Sequence, residues 1–365
     1  MKKSLLQSEH IRHHATITSA GEWEVIADYG DTQSEYKAVR ESAGVIDLSH
    51  RGRIYLSGKN SVQFLQGLVS NDVKILKPGE GAYAAFLNTT GRIQADCWIY
   101  RLEESLLIDT AAVTREWVFK SLEKFVPAGD FFVTDITETT TFLSLQGPHS
   151  TKILFNLGAG LVASLEALNN RSVKIAGEEL RVFKNSRTGE EGFDLLVEKN
   201  APTVFNALTD AGAKPCGLNA LDLLRVEAGI AEYKVDMDDT IILLEAGLEH
   251  AVSYKKGCYL GQETIAKIHH RGHGQTAKRL SGIVVQSSNL PAVGTKVFNK
   301  DGKEIGYITS SIVSPALNQP VALAYLRRDH FTPGQVHSIE IAGDRIGVEV
   351  VELPFYRKTA IEEVR

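Results

Sequence analysis

Asp47-Leu48-Ser49-His50-Arg51-Gly52-Arg53-Ile54-Tyr55-Leu56-Ser57-Gly58 is the stretch on which the reading of this chain turns. A polar turn closes on Gly52, and residues 53–58 then alternate as a strand with one face toward a core. Upstream, residues 22–50 read as helical first, with Tyr36, Val39 and Val45 as core positions. Downstream, Val62, Leu65 and Leu68-Val69 fall at helical spacing behind a cap at Asn60 or Ser61, which predicts a helix over 60–71. Residues 82–88 and 93–100 predict two strands around the turn Asn88-Thr89-Thr90-Gly91. Leu106-Leu107-Ile108 predicts a third strand, and residues 113–125 a helix. This strand-rich α+β block continues to about residue 200. Residues 187–198 read as a tight turn feeding a strand, because two glycines bracket two carboxylates. Asn219 is placed to cap a helix ending near Gly229, with Leu221, Leu224 and Ala228 along one face.

After about residue 278 the texture changes. Short β-rich runs at 280–285, 295–299, 304–310, 321–326, 336–341 and 346–351 recur between Gly, Asn, Asp and Pro signals. That spacing predicts a small antiparallel barrel or sandwich as a separate C-terminal domain, 278–365. Residues 1–277 then form the larger region, with two interleaved α+β subdomains, one of them roughly 53–140.

Bulk composition narrows the function classes. The chain has 365 residues, 43% hydrophobic and 23% charged, which is ordinary for a globular protein. A net charge of −5 supplies no basic field, against a general nucleic-acid binder. No apolar run of membrane-spanning length occurs, and Met1-Lys2-Lys3 is not followed by the apolar core of a signal peptide. The three cysteines, Cys97, Cys216 and Cys258, are widely spaced and imply neither a disulfide framework nor a zinc site. A reducing cytoplasm is the expected home.

Lys255-Lys256-Gly257-Cys258-Tyr259-Leu260-Gly261-Gln262-Glu263 carries the clearest chemical signal. Two lysines beside Cys258 favour thiolate over thiol, and Gly257 and Gly261 free the backbone around it. The plain alternative is a buried packing cysteine, the reading given to Cys97 and Cys216. His269, His270 and His273 cluster, but no carboxylate or cysteine completes a metal spacing, so they read as an exposed basic loop with Arg271, Lys278 and Arg279. No metal site is expected.

Several segments in order resemble the glycine-cleavage T-protein (aminomethyltransferase) superfamily. They are residues 43–52, residues 64–73, Thr188-Gly189-Glu190-Glu191-Gly192-Phe193, Leu224-Arg225-Val226-Glu227-Ala228-Gly229 and Leu244-Glu245-Ala246-Gly247-Leu248. Within the superfamily, Lys256 to Glu263 looks like the hallmark of the YgfZ-type folate-binding branch, where T-proteins carry an acidic residue in place of Cys258. The resemblance implies three domains around a central channel, the last a small antiparallel β-barrel, with a reduced folate such as tetrahydrofolate as cofactor. It implies that Glu227 holds the pterin edge, since one carboxylate can accept two parallel N–H donors. Arg225 beside it is expected to be a structural ion-pair partner. Asp96 matches the second of two acids in the T-protein pattern, the first being Ala95 here, and stands near the reacting nitrogens. Tyr83 and Tyr100 match aromatic positions lining the folate, and Asp109 replaces an asparagine that helps hold the pterin. Lys256 and Arg271 join the expected cofactor-binding set, the Arg271 loop meeting the anionic glutamate tail.

By that branch, the leading expectation is a tetrahydrofolate-binding accessory protein for maturation or repair of iron–sulfur enzymes, with Cys258 and Asp96 as working residues and iron–sulfur clients or assembly factors as partners. The alternative is a tetrahydrofolate-dependent aminomethyltransferase of the glycine cleavage system, whose partner is a lipoyl carrier protein. A non-catalytic folate scaffold is the third reading, and the sequence leaves open whether the chain is an enzyme.

Overall fold

The computed structural model describes residues 1–270, 272 and 274–357. It divides into two compact units, Met1–Leu221 with Glu249–Thr264, and Asp222–Leu248 with Ile265–Arg365. No helix among the described residues is long and apolar enough to cross a membrane.

The first unit is built on two sheets. One runs Gly81–Leu87, Ile93–Arg101, Ser105–Thr110, Gly52–Ser57, Phe132–Asp135, all antiparallel. Alternation along Ile93–Arg101 decides its faces. Ala95, Cys97 and Ile99 are fully buried with Ile54, Leu56, Leu106 and Ile108 against Leu65, Val118 and Leu122 of two helices. Asp96, Trp98 and Tyr100 therefore stand on the opposite face. The second sheet runs Asn170–Ile175, Glu178–Lys184, Gly192–Val197, Thr141–Gln146, Gly44–Asp47, Lys214–Cys216, with only the last pair parallel. Its apolar face packs Val45, Leu143, Leu145 and Leu195 against helical Leu154, Val204, Phe205 and Leu208. Each sheet thus covers an aliphatic face with helices. Their other faces meet through Tyr100 against Phe183, at 4.3 Å between ring centroids, and through buried charges described below.

Local expectations differ from the structure where side chains reach far. The segment 22–50 starts as a strand, Trp23–Asp28, and only Thr32–Glu41 is helical, with Asp31 accepting from the Gln33 and Ser34 amides. Tyr36, Val39 and Val45 are buried as the sequence predicts. The helix expected over 60–71 stops at Gln66, because the Gln66 side chain turns back to accept from the Val73 amide at 2.9 Å. The helix near Asn219 spans Leu218–Glu227; Asn219 does not cap it but donates to Asp28, and Gly229 follows in the left-handed region at φ 70°.

The second unit centres on a closed antiparallel barrel whose six strands fall on the six predicted runs: Lys278–Val285, Lys296–Phe298, Glu304–Ser314, Gln319–Arg327, Val336–Ile341 and Asp344–Val351. Lys278–Val285 pairs with both Gln319–Arg327 and Asp344–Val351, which closes the sheet and removes the sandwich alternative. Ile283, Val297, Ile308, Ala324, Ile339 and Val348 fill the interior.

Candidate functional site

The polar face of the first sheet assembles a layer of aromatic and charged groups. Register places Tyr83 opposite Trp98, Trp98 opposite Asp109, and Asp109 opposite Arg53. Asp96 lies two residues before Trp98 and shares this face. It is 6% exposed. The Tyr83 hydroxyl donates to its Oδ2 at 2.8 Å, and its Oδ1 has no partner. Burial raises the Asp96 pKa above the ordinary carboxylate value, against the opposing influence of Arg51 and the Tyr83 bond. The Tyr83 ring packs 4.9 Å from Trp98 and stacks on His250 at 5.4 Å and 19°. A desolvated carboxylate with one uncommitted oxygen is equipped to accept a proton or to stabilise developing positive charge.

Asp109 is placed differently from the expectation. It is fully buried, and its two oxygens take Arg51 Nε at 2.8 Å and Arg187 Nη2 at 2.5 Å. Burial alone would raise its pKa, but the two guanidinium groups outweigh that and lower it. Arg187 reaches onward to Asp194, also buried, at 2.7 Å. Both guanidinium carbons lie over the Trp98 ring, Arg51 at 5.0 Å and Arg187 at 4.5 Å. Asp109 therefore anchors a buried ion cluster, and its oxygens are spent on it. Tyr100 is fully buried with its ring against Phe183 and its hydroxyl unpartnered, which makes it a core aromatic.

Cys258 is exposed, whereas Cys97 and Cys216 are buried with their thiol pKa values pushed up by that burial. The charge expected beside Cys258 is partly spent elsewhere. Lys256 Nζ donates to the Gln66, Val69 and Asn71 carbonyls, each at 2.7 Å, and burial holds its pKa down to about 8. All three ammonium donors are used, so Lys256 ties the loop to the backbone instead of offering a hand to a ligand. Gly261 sits at φ 84°, and a side chain there would run into the Asn88 carbonyl, so this glycine lets the loop rest on the 88–91 turn. On exposure alone, Cys258 is expected to react with a maleimide at least about tenfold faster than the other two thiols in the folded protein. Faster labelling of Cys97 or Cys216, read by peptide mass spectrometry, would contradict this placement.

In the second unit, Glu227 is fully buried at the end of its helix. Its Oε1 accepts from the Ser314 hydroxyl and from the Ala316 amide at 3.2 Å. Arg225 pairs with Asp236 at 2.7 Å and Asp222 at 2.6 Å, the structural role expected of it. His269 and His270 close the Gln262–His270 helix with rings 4.9 Å apart. Arg271 and His273 lie outside the described residues, among which no group of three or more His, Cys, Asp or Glu could hold a metal ion. Sequence reasoning missed Arg51, Trp98, Arg187 and His250 as parts of the layer. Arg51 stands inside a quoted motif and Arg187 beside one, yet nothing local signals that they share Asp109, 58 and 78 residues away.

Comparison with known proteins gives one consistent result. Residues 6–256 match the family model for the GCVT N-terminal domain, and residues 278–357 match that for the glycine cleavage T-protein C-terminal barrel domain. An aminomethyltransferase of Nostoc sp. is 33% identical, over 94% of this chain and 93% of its own length. That of Geobacillus kaustophilus is 33% identical, over 98% of this chain and 99% of its own. The crystal structure of glycine cleavage system aminomethyltransferase T from Bartonella henselae superposes with a TM-score of 0.89 at 25% identity, covering 97% of this chain and 98% of that one. These relatives overturn the expectation of an accessory protein for iron–sulfur enzymes. That expectation hung on one short exposed loop around Cys258, whereas the likeness to aminomethyltransferases runs through nearly every element of both units.

Proposed function

Because the chain belongs to the glycine cleavage T-protein family, we propose that it is a tetrahydrofolate-dependent aminomethyltransferase of the glycine cleavage system. It takes the aminomethyl group from the lipoyl arm of a carrier protein, passes its one-carbon unit to tetrahydrofolate, and releases ammonia. The single observation that carries the reading is Asp96: a buried carboxylate with one oxygen held by Tyr83 and the other uncommitted. Positive charge develops on the aminomethyl nitrogen as the bond between the methylene carbon and the lipoyl sulfur loosens, and a desolvated carboxylate stabilises that charge more strongly than water does. The same oxygen can accept a proton from the attacking amine of the acceptor. Glu227 is proposed for the pterin's amine edge, where paired N–H donors suit one carboxylate.

The likeness of residues 256–263 to the YgfZ-type branch bears on lineage within this family, and the proposed transfer assigns no step to Cys258. The test is direct. Purified protein mixed with aminomethylated lipoyl carrier protein and tetrahydrofolate is expected to yield ammonia and methylenetetrahydrofolate in equal amounts. Folate binding without either product would sink the enzymatic reading.

A further inference from the structure

Asp96 raises an electrostatic problem. A carboxyl group that is 6% exposed, with a single hydrogen bond, favours its neutral form, because little replaces the water it has lost. A neutral Asp96 could neither accept a proton nor answer a developing positive charge. Its surroundings contain few groups able to change that. Tyr83 faces it from the Gly81–Leu87 strand, with His250 stacked behind that ring; Cys97 is its neighbour in the chain; Asp109 stands on the adjoining Ser105–Thr110 strand. Tyr83 and Cys97 are neutral near pH 7, since burial raises both pKa values, and Asp109 has the wrong sign.

Arg51 differs from all of these. It enters from the turn before the Gly52–Ser57 strand, and its guanidinium is fixed at two points. Nε donates to Asp109 at 2.8 Å, and the group lies 5.0 Å from the centre of the Trp98 ring, one residue pair along the face from Asp96. Its Nη2 is buried and has no hydrogen-bond partner. Arg187 is the other cation over Trp98, but it is divided between Asp109 and Asp194.

We infer that Arg51 is a positioning residue for the transfer: Asp109 and Trp98 hold its guanidinium where it keeps Asp96 a carboxylate in surroundings that would otherwise neutralise it. The inference rests on the aminomethyltransferase reading. It gives Asp109 a purpose that its spent oxygens deny it as a ligand contact. Arg51 is also the largest influence opposing the burial of Asp96.

The experiment follows transfer from aminomethylated lipoyl carrier protein as a function of pH in four proteins: the natural chain, Asp96→Asn, Arg51→Gln and Arg51→Lys. The natural chain is expected to lose activity on an acid limb that Asp96→Asn lacks. Arg51→Gln is expected to move that limb up by about one pH unit or more, the effect of removing a nearby opposite charge. Arg51→Lys, which keeps the positive charge, is expected to return the limb most of the way to its natural position. A merely structural Arg51 would lower the rate and leave the limb in place, and that result overturns the inference. A natural chain inactive at every pH would instead take down the aminomethyltransferase reading, and the inference with it. Infrared difference spectra of the natural chain against Asp96→Asn serve if Arg51→Gln does not fold. No protonated carboxyl band from Asp96 is expected at neutral pH, and its presence overturns the inference whatever the variants do.

Discussion

Replacing Asp96 with Asn is expected to lower the rate of aminomethyl transfer by about 10²–10⁴-fold, the usual span for a group acting on protons or charge in the transition state. The fold should not suffer. Asparagine has nearly the same shape, and its side-chain oxygen can still accept from the Tyr83 hydroxyl that now bonds Asp96 at 2.8 Å. The variant also removes a buried carboxylate that has one oxygen unpartnered, and poorly compensated buried charge is a cost to stability. Activity and stability should therefore move in opposite directions, with thermal unfolding at or above the temperature of the natural chain. Turnover within a few-fold of the natural rate would remove Asp96 from the chemistry. Parallel losses of activity and stability would point to a structural aspartate.

Arg187→Ala is expected to be the most damaging single truncation in the ion cluster, costing roughly 3–5 kcal/mol of stability. Arg187 stands between two fully buried carboxylates, Asp109 at 2.5 Å and Asp194 at 2.7 Å. Its loss strands Asp194 with only the Asn185 side chain, at 2.9 Å, and leaves Asp109 to Arg51 alone. The pH dependence has a definite sign. The folded-state pKa of Asp109 is lowered, so its contribution is fully present above the unfolded carboxylate pKa and disappears as pH falls through the folded value. Stranded carboxylates can relieve themselves by taking up protons. The stability gap between natural chain and variant should therefore be widest near neutrality and narrow in acid. Calorimetric melting across that range checks it, and a gap of equal size at all pH values would mean that the cluster's charges are not what holds this layer together.

The candidate site was half legible before the fold was known. Alternation through Ala95-Asp96-Cys97-Trp98-Ile99-Tyr100 puts Asp96, Trp98 and Tyr100 on one face of any strand they form, and the structure keeps them there. Which of them would be free was not legible. Asp109 was expected to meet the pterin, yet its oxygens are taken by Arg51 and Arg187, because a carboxylate buried between two guanidinium groups pairs with them first. Lys256 looked like positive charge for Cys258 until the fold brought the Gln66, Val69 and Asn71 carbonyls within 2.7 Å of its ammonium. The Cys258 motif, strong as a string, misdirected the function because a short exposed loop says little about what the rest of the chain does.

By itself the sequence determined what depends on neighbours in the chain. The six β runs after residue 278, the strands flanking the 88–91 turn and the glycine that ends the Leu218–Glu227 helix all follow from periodicity and turn chemistry, which act over a few residues. Tertiary structure alone decided that the last sheet closes as a barrel, that Arg51 and Arg187 share one aspartate, and that one oxygen of Asp96 is left over. Those outcomes depend on which distant strands become neighbours, and a buried charge is settled by whatever partners that packing delivers, at separations that local spacing does not encode.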